Sequence, residues 1–245
     1  MDLSSRVIVI TGASRGLGAG MASWFASQGA ALGLCARHVP DAPHDRTVAR
    51  SVDVTDRDAV ENFAVEVSAK LGPIDLWINN AAVLEPIVPV RELDWSELEE
   101  HLAINVGGVL NGTRVFLGRL ESDGHRGGLV NISSGLAQRG RAGLAAYSMA
   151  KAAVDRLTEV VAAEETDRLT MALALAPGVV ETRMQETLRK QDEFVLKDVD
   201  LFRGFHEEGA MNSPAWVASY IANWVFGDLG PDGVVVRVPR ESEAR

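Results

Sequence analysis

Two ionisable side chains four residues apart, Tyr147 and Lys151, stand in a stretch with a helical pattern. Residues at this spacing lie on one face of a helix, so the sequence predicts an ammonium group beside a phenol. A free tyrosine has a pKa of about 10, and a nearby cation favours the phenolate, which eases proton exchange near neutral pH. Such a pair suits acid–base chemistry on a carbonyl or an alcohol. The spacing alone has a plainer interpretation, a solvated pair on a helix surface.

Two further polar residues strengthen the chemical interpretation. Ser134 stands thirteen residues before Tyr147, at the end of a predicted strand, where open α/β sheets bind their ligands. Its hydroxyl is able to bond a substrate oxygen. Asn105 is a polar residue within an otherwise apolar helical pattern. Taken alone, it indicates only a buried amide whose hydrogen bonds are satisfied.

Residues 11–18 read TGASRGLG, between an apolar run and a helix-forming stretch. The pattern predicts a strand, a glycine turn and a helix start, an arrangement that binds the pyrophosphate of a dinucleotide. In it, Gly12 suits a positive φ, Gly16 lets backbone amides approach a phosphate, and Gly18 lets the helix pack on the strand. The spacing differs from the G-x-G-x-x-G fingerprint, and a glycine turn alone also marks ordinary strand-to-helix corners.

The elements that must position these residues alternate along the chain. Seven short apolar runs predict buried parallel strands, at 7–10, 31–36, 49–53, 74–79, 128–133, 170–176 and 234–238. Helical patterns lie between most of them, at 18–27, 56–71, 96–120, 144–165 and 214–225. The alternation predicts one parallel sheet covered on both faces, and no linker divides residues 1–245 into two domains.

Two segments depart from the alternation. Residues 37–46 contain Pro40 and Pro43 and leave little room for a helix, so we expect a trimmed loop. Residues 181–213 mix charges with large apolar side chains. We expect this segment to be a lid that closes over a substrate or, alternatively, a surface subdomain with its own small core.

Composition limits the class of protein. The net charge of −10 over 245 residues argues against a nucleic-acid partner. The single Cys35 excludes an internal disulfide and a cysteine metal site. The sequence has no targeting pattern at its beginning and no run long enough to cross a membrane, so we expect a cytoplasmic protein with no membrane partner. We expect no metal, because the histidines lack ligand spacing. They are His38, His44, His101, His125 and His206.

Together these motifs resemble the short-chain dehydrogenase/reductase family, from Arg6 to about Thr182. The match also includes, in the family's order, Asp53-Val54, residues 79–82 (NNAA) and residues 177–182 (PGVVET). The resemblance implies one doubly wound, Rossmann-like α/β domain with about seven parallel strands flanked by helices. One departure is Ala82, where the family more often has glycine.

The resemblance further implies that Asn105, Ser134, Tyr147 and Lys151 form a catalytic tetrad. Ser134 would orient a substrate carbonyl, and Tyr147 would donate its proton. Lys151 would hold the cofactor ribose and lower the pKa of the tyrosine, and Asn105 would anchor a water relay. We choose Ser134 over Ser133 because the spacing of thirteen residues to Tyr147 is the usual one in the family.

The end of the second predicted strand indicates which dinucleotide is bound. Ala36 occupies the position where an acidic residue would bond a ribose 2′-hydroxyl. Arg37 and Arg15 supply guanidinium groups suited to a 2′-phosphate, which predicts NADP(H) over NAD(H). Alternatively, Arg37 is a solvated loop residue. The predicted cofactor-binding residues are Gly12, Ser14, Arg15, Gly16, Leu17, Gly18, Arg37, Asp53, Val54, Asn80, Ala81, Tyr147, Lys151, Pro177, Gly178, Val180 and Thr182.

Two later stretches, 177–185 and 205–214, look like the sepiapterin reductase and benzil reductase branch, whose members reduce ketones and vicinal diketones with NADPH. Pterin-reducing members carry carboxylates near the end of the chain. This chain has Arg237 and Arg240 there, and arginine cannot accept hydrogen bonds from a guanidine-like ring. We therefore expect an NADPH-dependent carbonyl reductase acting on a hydrophobic or aromatic ketone or diketone.

Three alternatives stay open at this point. Two are activities within the same family, a 3-oxoacyl-carrier reductase and an alcohol dehydrogenase. The third is a non-catalytic NADP(H) redox sensor, against which the intact tetrad argues. The resemblance also implies a homodimer or homotetramer formed through the helices at 96–120 and 144–165, although their apolar residues could equally belong to the core.

Overall fold

A computed structural model describes residues 1–209, 211–228 and 230–243, so that Ala210, Leu229, Ala244 and Arg245 lie outside the described residues. Seven parallel strands form one sheet in the order β3-β2-β1-β4-β5-β6-β7. The strands are β1 Val7–Thr11, β2 Ala31–Ala36, β3 Thr47–Ser51, β4 Leu76–Asn79, β5 Gly127–Ile132, β6 Leu169–Ala176 and β7 Val235–Arg237. The helices are α1 Gly16–Ser27, α2 Arg57–Leu71, α3 Trp95–Leu102, α4 Gly108–Asp123, α5 Ala145–Glu164, α6 Arg183–Arg189, α7 Val199–Glu207 and α8 Pro214–Phe226. The predicted α/β fold with seven parallel strands is confirmed.

The apolar runs become strands because helices cover both faces of the sheet. Successive residues of a strand point to opposite faces, and β1 contributes to two separate core layers. Ile8 and Ile10 pack in the layer beneath α1 and α8. Val7 and Val9 pack in the layer beneath α2 and α4. With both faces buried, a strand of this kind reads as a continuous apolar run.

The chain reverses its direction across the sheet at β1. From β1 it builds β2 and β3 on one side, and then β4 to β7 on the other. The carboxyl ends of β1 and β4 are neighbours at this switch point, which is where open α/β sheets bind ligands. The predicted glycine turn follows β1, and Asn80 follows β4.

The helix predicted over 96–120 is interrupted. A π-helical turn, Ala103–Gly107, separates α3 from α4, and Asn105 lies within it. Turns of this kind are rare and occur often at functional sites. The apolar pattern continues through the turn, so it gives no sign of the interruption.

Helices α6 and α7 lie within the segment 181–213. Its apolar side chains Leu188 and Phe202 pack with Leu84 and Leu144 of the main body in a third buried cluster. Closure of this segment over a substrate stays a prediction. No helix among the described residues has the length and apolar character needed to span a bilayer.

Candidate active site

The glycine turn after β1 fits tightly against the chain that leaves β4. Gly12 has a φ of +66° and Gly16 a φ of +57°. A Cβ added at Gly12 would lie 2.7 Å from the Cα of Ala81, and one added at Gly18 would lie 2.4 Å from the Gly12 carbonyl oxygen. Gly12 therefore meets both a conformational and a steric requirement, whereas Gly16 meets a conformational one and Gly18 a steric one.

Hydrogen bonds hold the two segments together. The Asn80 side-chain Nδ2 donates to the carbonyl oxygens of Thr11, at 2.9 Å, and Gly12, at 3.1 Å. The Thr11 hydroxyl oxygen accepts from the backbone N–H groups of Asn80, at 3.0 Å, and Ala81, at 3.1 Å. The predicted cofactor residues Asn80 and Ala81 therefore fix the position of the turn.

The amino terminus of α1 suits a pyrophosphate. Its N-cap residue, Arg15, makes no side-chain capping bond, and its first turn contains no acidic residue. The first N–H groups of a helix lack intrahelical partners and carry partial positive charge, which favours an anion. A Cβ added at Gly16 would lie 3.3 Å from Cγ2 of Thr182, so Thr182 borders this turn. The residues present fit a dinucleotide cofactor.

The residues predicted near the adenosine end follow β2 and β3. Ala36 ends β2, so no carboxylate stands at the strand end, and the next residue, Arg37, is exposed like Arg15. Asp53 Oδ1 accepts from the N–H of Thr55 at 2.9 Å and from its hydroxyl at 2.7 Å. These hydrogen bonds are the main cause of a lowered pKa at Asp53, and the charge of Arg37 acts in the same direction.

The remaining predicted cofactor residues are also placed around this edge of the sheet. Gly178 follows β6 with a φ of +79°, beside Asn212, whose Nδ2 donates to the Pro177 carbonyl at 2.9 Å. Val180 is buried and forms a bridge with Asn212. The other three are Val54, which is buried, Leu17, which is partly buried, and Ser14, which is exposed.

Tyr147 and Lys151 lie on one face of α5, at the spacing that predicted their proximity. Lys151 Nζ lies 5.6 Å from the centre of the Tyr147 ring. The lysine side chain is buried, and its Nζ donates to the carbonyl oxygen of Ile132 at 2.7 Å. Ser134 follows β5, and its hydroxyl oxygen accepts from the Leu136 N–H at 3.2 Å.

Burial shifts the pKa of both groups towards their neutral forms. It lowers the pKa of Lys151 to about 8, against the opposing charge of Asp155. It raises the pKa of Tyr147 to about 12, against the opposing effect of a hydrogen bond with the Ser134 side chain. The direction at Tyr147 is opposite to the one predicted from its spacing to Lys151, because desolvation dominates. The phenol therefore holds its proton at neutral pH.

The two neighbouring serines have different partners. Ser134 interacts with Tyr147, whereas the Ser133 hydroxyl donates to the Asp155 carboxylate. Asp155 lies one helical turn after Lys151, and burial raises the pKa of its carboxyl group. Ser133 and Asp155 thus form a buried polar contact behind Lys151.

Asn105 is fully buried and binds the chain that follows β4. Its side-chain amide exchanges hydrogen bonds with the backbone N–H and carbonyl of Val83, each at 2.9 Å. Its Nδ2 also lies 2.6 Å from Nε2 of His101. The His101 ring meets the Tyr147 ring edge to face, with 6.2 Å between the ring centres. His101 was not among the predicted site residues, although its position four residues before Asn105 places both side chains on one helix face.

Apolar side chains border Tyr147. It packs against the third buried cluster, alongside the partly buried Ile87, Leu136 and Met184. These three come from the segment after β4, the segment after β5 and helix α6. Among residues 1–209, 211–228 and 230–243, no group of three histidine, cysteine or acidic side chains is placed to hold a metal ion.

Comparison with known proteins agrees with this arrangement. Residues 6–193 match the family model described as short chain dehydrogenase. A benzil reductase ((S)-benzoin forming) from Bacillus subtilis is 29% identical over 86% of this chain and 89% of its own length. A 3-oxoacyl-[acyl-carrier-protein] reductase from Thermotoga maritima is 30% identical over 96% of this chain and 100% of its own length.

Among solved structures, the KRED1-Pglu enzyme superposes with a TM-score of 0.85 at 27% identity. The alignment covers 94% of this chain and 100% of that enzyme. Members of the matched family are oxidoreductases that use nicotinamide cofactors and act on CH–OH or C=O groups. The chain therefore belongs to the short-chain dehydrogenase family, in the branch that contains the benzil reductases.

Proposed function

We propose that this protein is an NADPH-dependent carbonyl reductase that converts a hydrophobic or aromatic ketone or vicinal diketone to the alcohol, with Tyr147 as the proton donor. The observation that carries the proposal is the setting of Tyr147. Its phenol is protonated at neutral pH, interacts with Ser134 and borders an apolar cluster. An acid of this kind beside apolar walls suits a carbonyl attached to apolar groups.

Four side chains of the protein have separate roles in the proton transfer. When bound, the nicotinamide cofactor supplies the hydride that the carbonyl carbon receives. Ser134 orients the carbonyl oxygen, and Tyr147 donates its proton to that oxygen as negative charge develops there. Lys151 would hold the cofactor ribose, and its positive charge favours the phenolate that Tyr147 becomes after the transfer. Asn105 would anchor the water that returns a proton.

Similarity to the Bacillus subtilis benzil reductase supports a diketone substrate. The test is a panel of carbonyl compounds with purified protein and NADPH: benzil, small diketones, aromatic ketones, sepiapterin and acetoacetyl thioesters. We expect kcat/KM to be highest for the aromatic diketones and ketones, because their apolar groups match the cluster beside Tyr147. A much higher kcat/KM for sepiapterin would contradict the substrate assignment.

A second candidate, reduction of a 3-oxoacyl group on a carrier protein, has one observation in its favour. The Thermotoga maritima reductase is similar over 96% of this chain. Carrier proteins are acidic, however, and the net charge of −10 gives no support for attracting one. Acetoacetyl thioesters in the same panel decide the question, since this candidate predicts that they give the highest kcat/KM.

We infer that the cofactor is NADP(H) from two exposed arginines, Arg37 directly after β2 and Arg15 at the amino terminus of α1. Charge-assisted hydrogen bonds from Arg15 and Arg37 would hold the 2′-phosphate, and Ala36 presents no carboxylate to repel it. Arg37→Ala should weaken NADPH binding by about 10-fold or more and leave NADH binding unchanged. Lys70→Ala is the control, since Lys70 is an exposed cation at the far end of α2. An unchanged preference for NADPH over NADH after replacement of both arginines would contradict the inference.

A further inference from the structure

His101 lies in a buried hydrogen-bonded chain beside the tyrosine to which the proposed function assigns proton donation. It occupies the last turn of α3 and is only 2% exposed. Asn105 follows one turn later, within the π-helical turn that interrupts the helix. The ring of Tyr147 stands edge to face with the imidazole, at an angle of 74°.

The hydrogen bonds of Asn105 determine the state of the imidazole. The Val83 N–H donates to the Asn105 side chain. The side-chain atom that accepts this hydrogen must be Oδ1, so the other atom of the amide is Nδ2. One hydrogen of Nδ2 then goes to the Val83 carbonyl, and the other points at His101 Nε2, 2.6 Å away. Nε2 must accept this hydrogen, so it carries no proton.

The other ring nitrogen completes the assignment. His101 Nδ1 lies 2.6 Å from the carbonyl oxygen of Glu85, which accepts hydrogen bonds and cannot donate one. The single imidazole proton therefore sits on Nδ1, and the ring is neutral. A protonated ring would place an Nε2–H against an Asn105 N–H, with two donors facing each other.

The surroundings of His101 also favour the neutral ring. Burial lowers its pKa, and the charge of Lys151 on α5 acts in the same direction. The hydrogen bond to the Glu85 carbonyl and the charge of the Glu85 side chain act in the opposite direction, less strongly than burial. Tyr147 faces the ring from α5 as a neutral phenol.

We propose that His101 is a positioning residue for carbonyl reduction: its neutral ring holds the Asn105 amide and supports Tyr147, and its protonation in acid slows the reaction. The inference rests on the proposed function, because it takes Tyr147 as the proton donor. In acid, the Asn105–His101 bond breaks and one of the two side chains turns away. The π-helical turn that carries Asn105 and the ring of Tyr147 then lose a fixed contact.

Two substitutions separate positioning from simple packing. His101→Gln keeps an oxygen able to accept from Asn105 but has no proton to gain between about pH 5 and 9. His101→Leu keeps apolar volume but leaves the Asn105 amide hydrogen without an acceptor. His125→Gln is the control, because His125 Nε2 lies 3.3 Å from Asp75 Oδ1, beside the amino end of β4 and away from Tyr147.

Steady-state rates of NADPH oxidation with the best carbonyl substrate should be measured from about pH 5 to about pH 9. We expect kcat of the wild type and of His125→Gln to fall as the pH is lowered. In a plot of log kcat against pH, this fall forms an acid limb whose slope corresponds to one protonation. His101→Gln should keep kcat within about threefold at neutral pH and lose that limb. His101→Leu should lower kcat about tenfold or more with KM for NADPH little changed. An acid limb that persists in His101→Gln would overturn the proposal.

A second readout needs no substrate and therefore separates this proposal from the proposed function. Nitrogen-15 NMR of histidine-labelled protein distinguishes protonated from unprotonated ring nitrogens, and His101→Gln identifies the His101 signals by their loss. We expect an unprotonated Nε2 and a protonated Nδ1 at neutral pH. A protonated Nε2 would overturn the inference even in an active enzyme. Failure to reduce any carbonyl, with the expected tautomer present, would instead contradict the proposed function.

Discussion

Replacing Gly12 by alanine tests the glycine turn on which the cofactor assignment depends. The new Cβ would face a backbone φ of +66° and would lie 2.7 Å from the Cα and 2.9 Å from the N of Ala81. Gly124, after α4, has a similar φ of +58°, and no described atom lies within 4 Å of an added Cβ there. Gly124→Ala therefore measures the backbone strain without the collision.

The expected losses of stability can be worked out from these two environments. A left-handed conformation costs an L residue about 1–2 kcal/mol. The smaller conformational freedom of the unfolded alanine chain offsets about 0.4–1 kcal/mol of that cost. Gly124→Ala should then lower the free energy of unfolding by about 0–1.5 kcal/mol. The collision with Ala81 adds about 1–3 kcal/mol at Gly12.

Urea unfolding followed by tryptophan fluorescence gives both values, and an NADPH titration gives the dissociation constant. Gly12→Ala should be less stable than Gly124→Ala by about 1–3 kcal/mol. It should also bind NADPH more weakly, because the turn must move away from Asn80 and Ala81 to admit the methyl group. Equal stability of the two variants, with NADPH binding unchanged in Gly12→Ala, would show that the turn admits the methyl group without a collision.

Three further predictions concern the core. A Cβ at Gly112 would lie 2.1 Å from Asn79 Oδ1, so Gly112→Ala should cost at least about 2 kcal/mol in urea unfolding. Gly118→Ala, on the same helix with no described atom within 4 Å of its Cβ, should cost nothing. Burial lowers the pKa of Lys151 from 10.5 to about 8. Between these two pH values the lysine is protonated in the unfolded chain and neutral in the folded one. The free energy of unfolding should therefore rise by roughly 1–3 kcal/mol as the pH increases through this range. Lys151→Met should flatten that rise. Burial raises the pKa of the Cys35 thiol to about 12. A thiol reagent at mildly alkaline pH should therefore label Cys35 no faster than the protein unfolds. Rapid labelling of the folded protein would contradict the burial of Cys35.

The sheet was predictable because strands buried on both faces read as apolar runs, and because helices between parallel strands leave a second pattern. The proximity of Tyr147 and Lys151 was predictable for a similar reason, since side chains four residues apart on a helix share a face. Both rules use only residues that are close together in the sequence.

Features that depend on burial, on backbone hydrogen bonds or on distant parts of the chain were not predictable in this way. The pKa of Tyr147 moves opposite to the expected direction because several elements partly bury the side chain, which its spacing to one lysine does not reveal. The π-helical turn at Asn105 depends on backbone bonding rather than on side-chain periodicity. The partners of His101 include the carbonyl of Glu85, far from it in sequence and close only in the folded chain.

Tyr147 is the residue to which we assign proton donation in an NADPH-dependent carbonyl reduction. Tyr147→Phe is the decisive variant, because phenylalanine keeps the ring beside His101 and against the third buried cluster and removes only the hydroxyl. With benzil and NADPH, the wild type should turn over, and the variant should lose about 100-fold or more of kcat/KM while its dissociation constant for NADPH stays within about threefold. A variant that reduces benzil at the wild-type rate, or a wild type that binds NADPH tightly and reduces no carbonyl, would contradict the account.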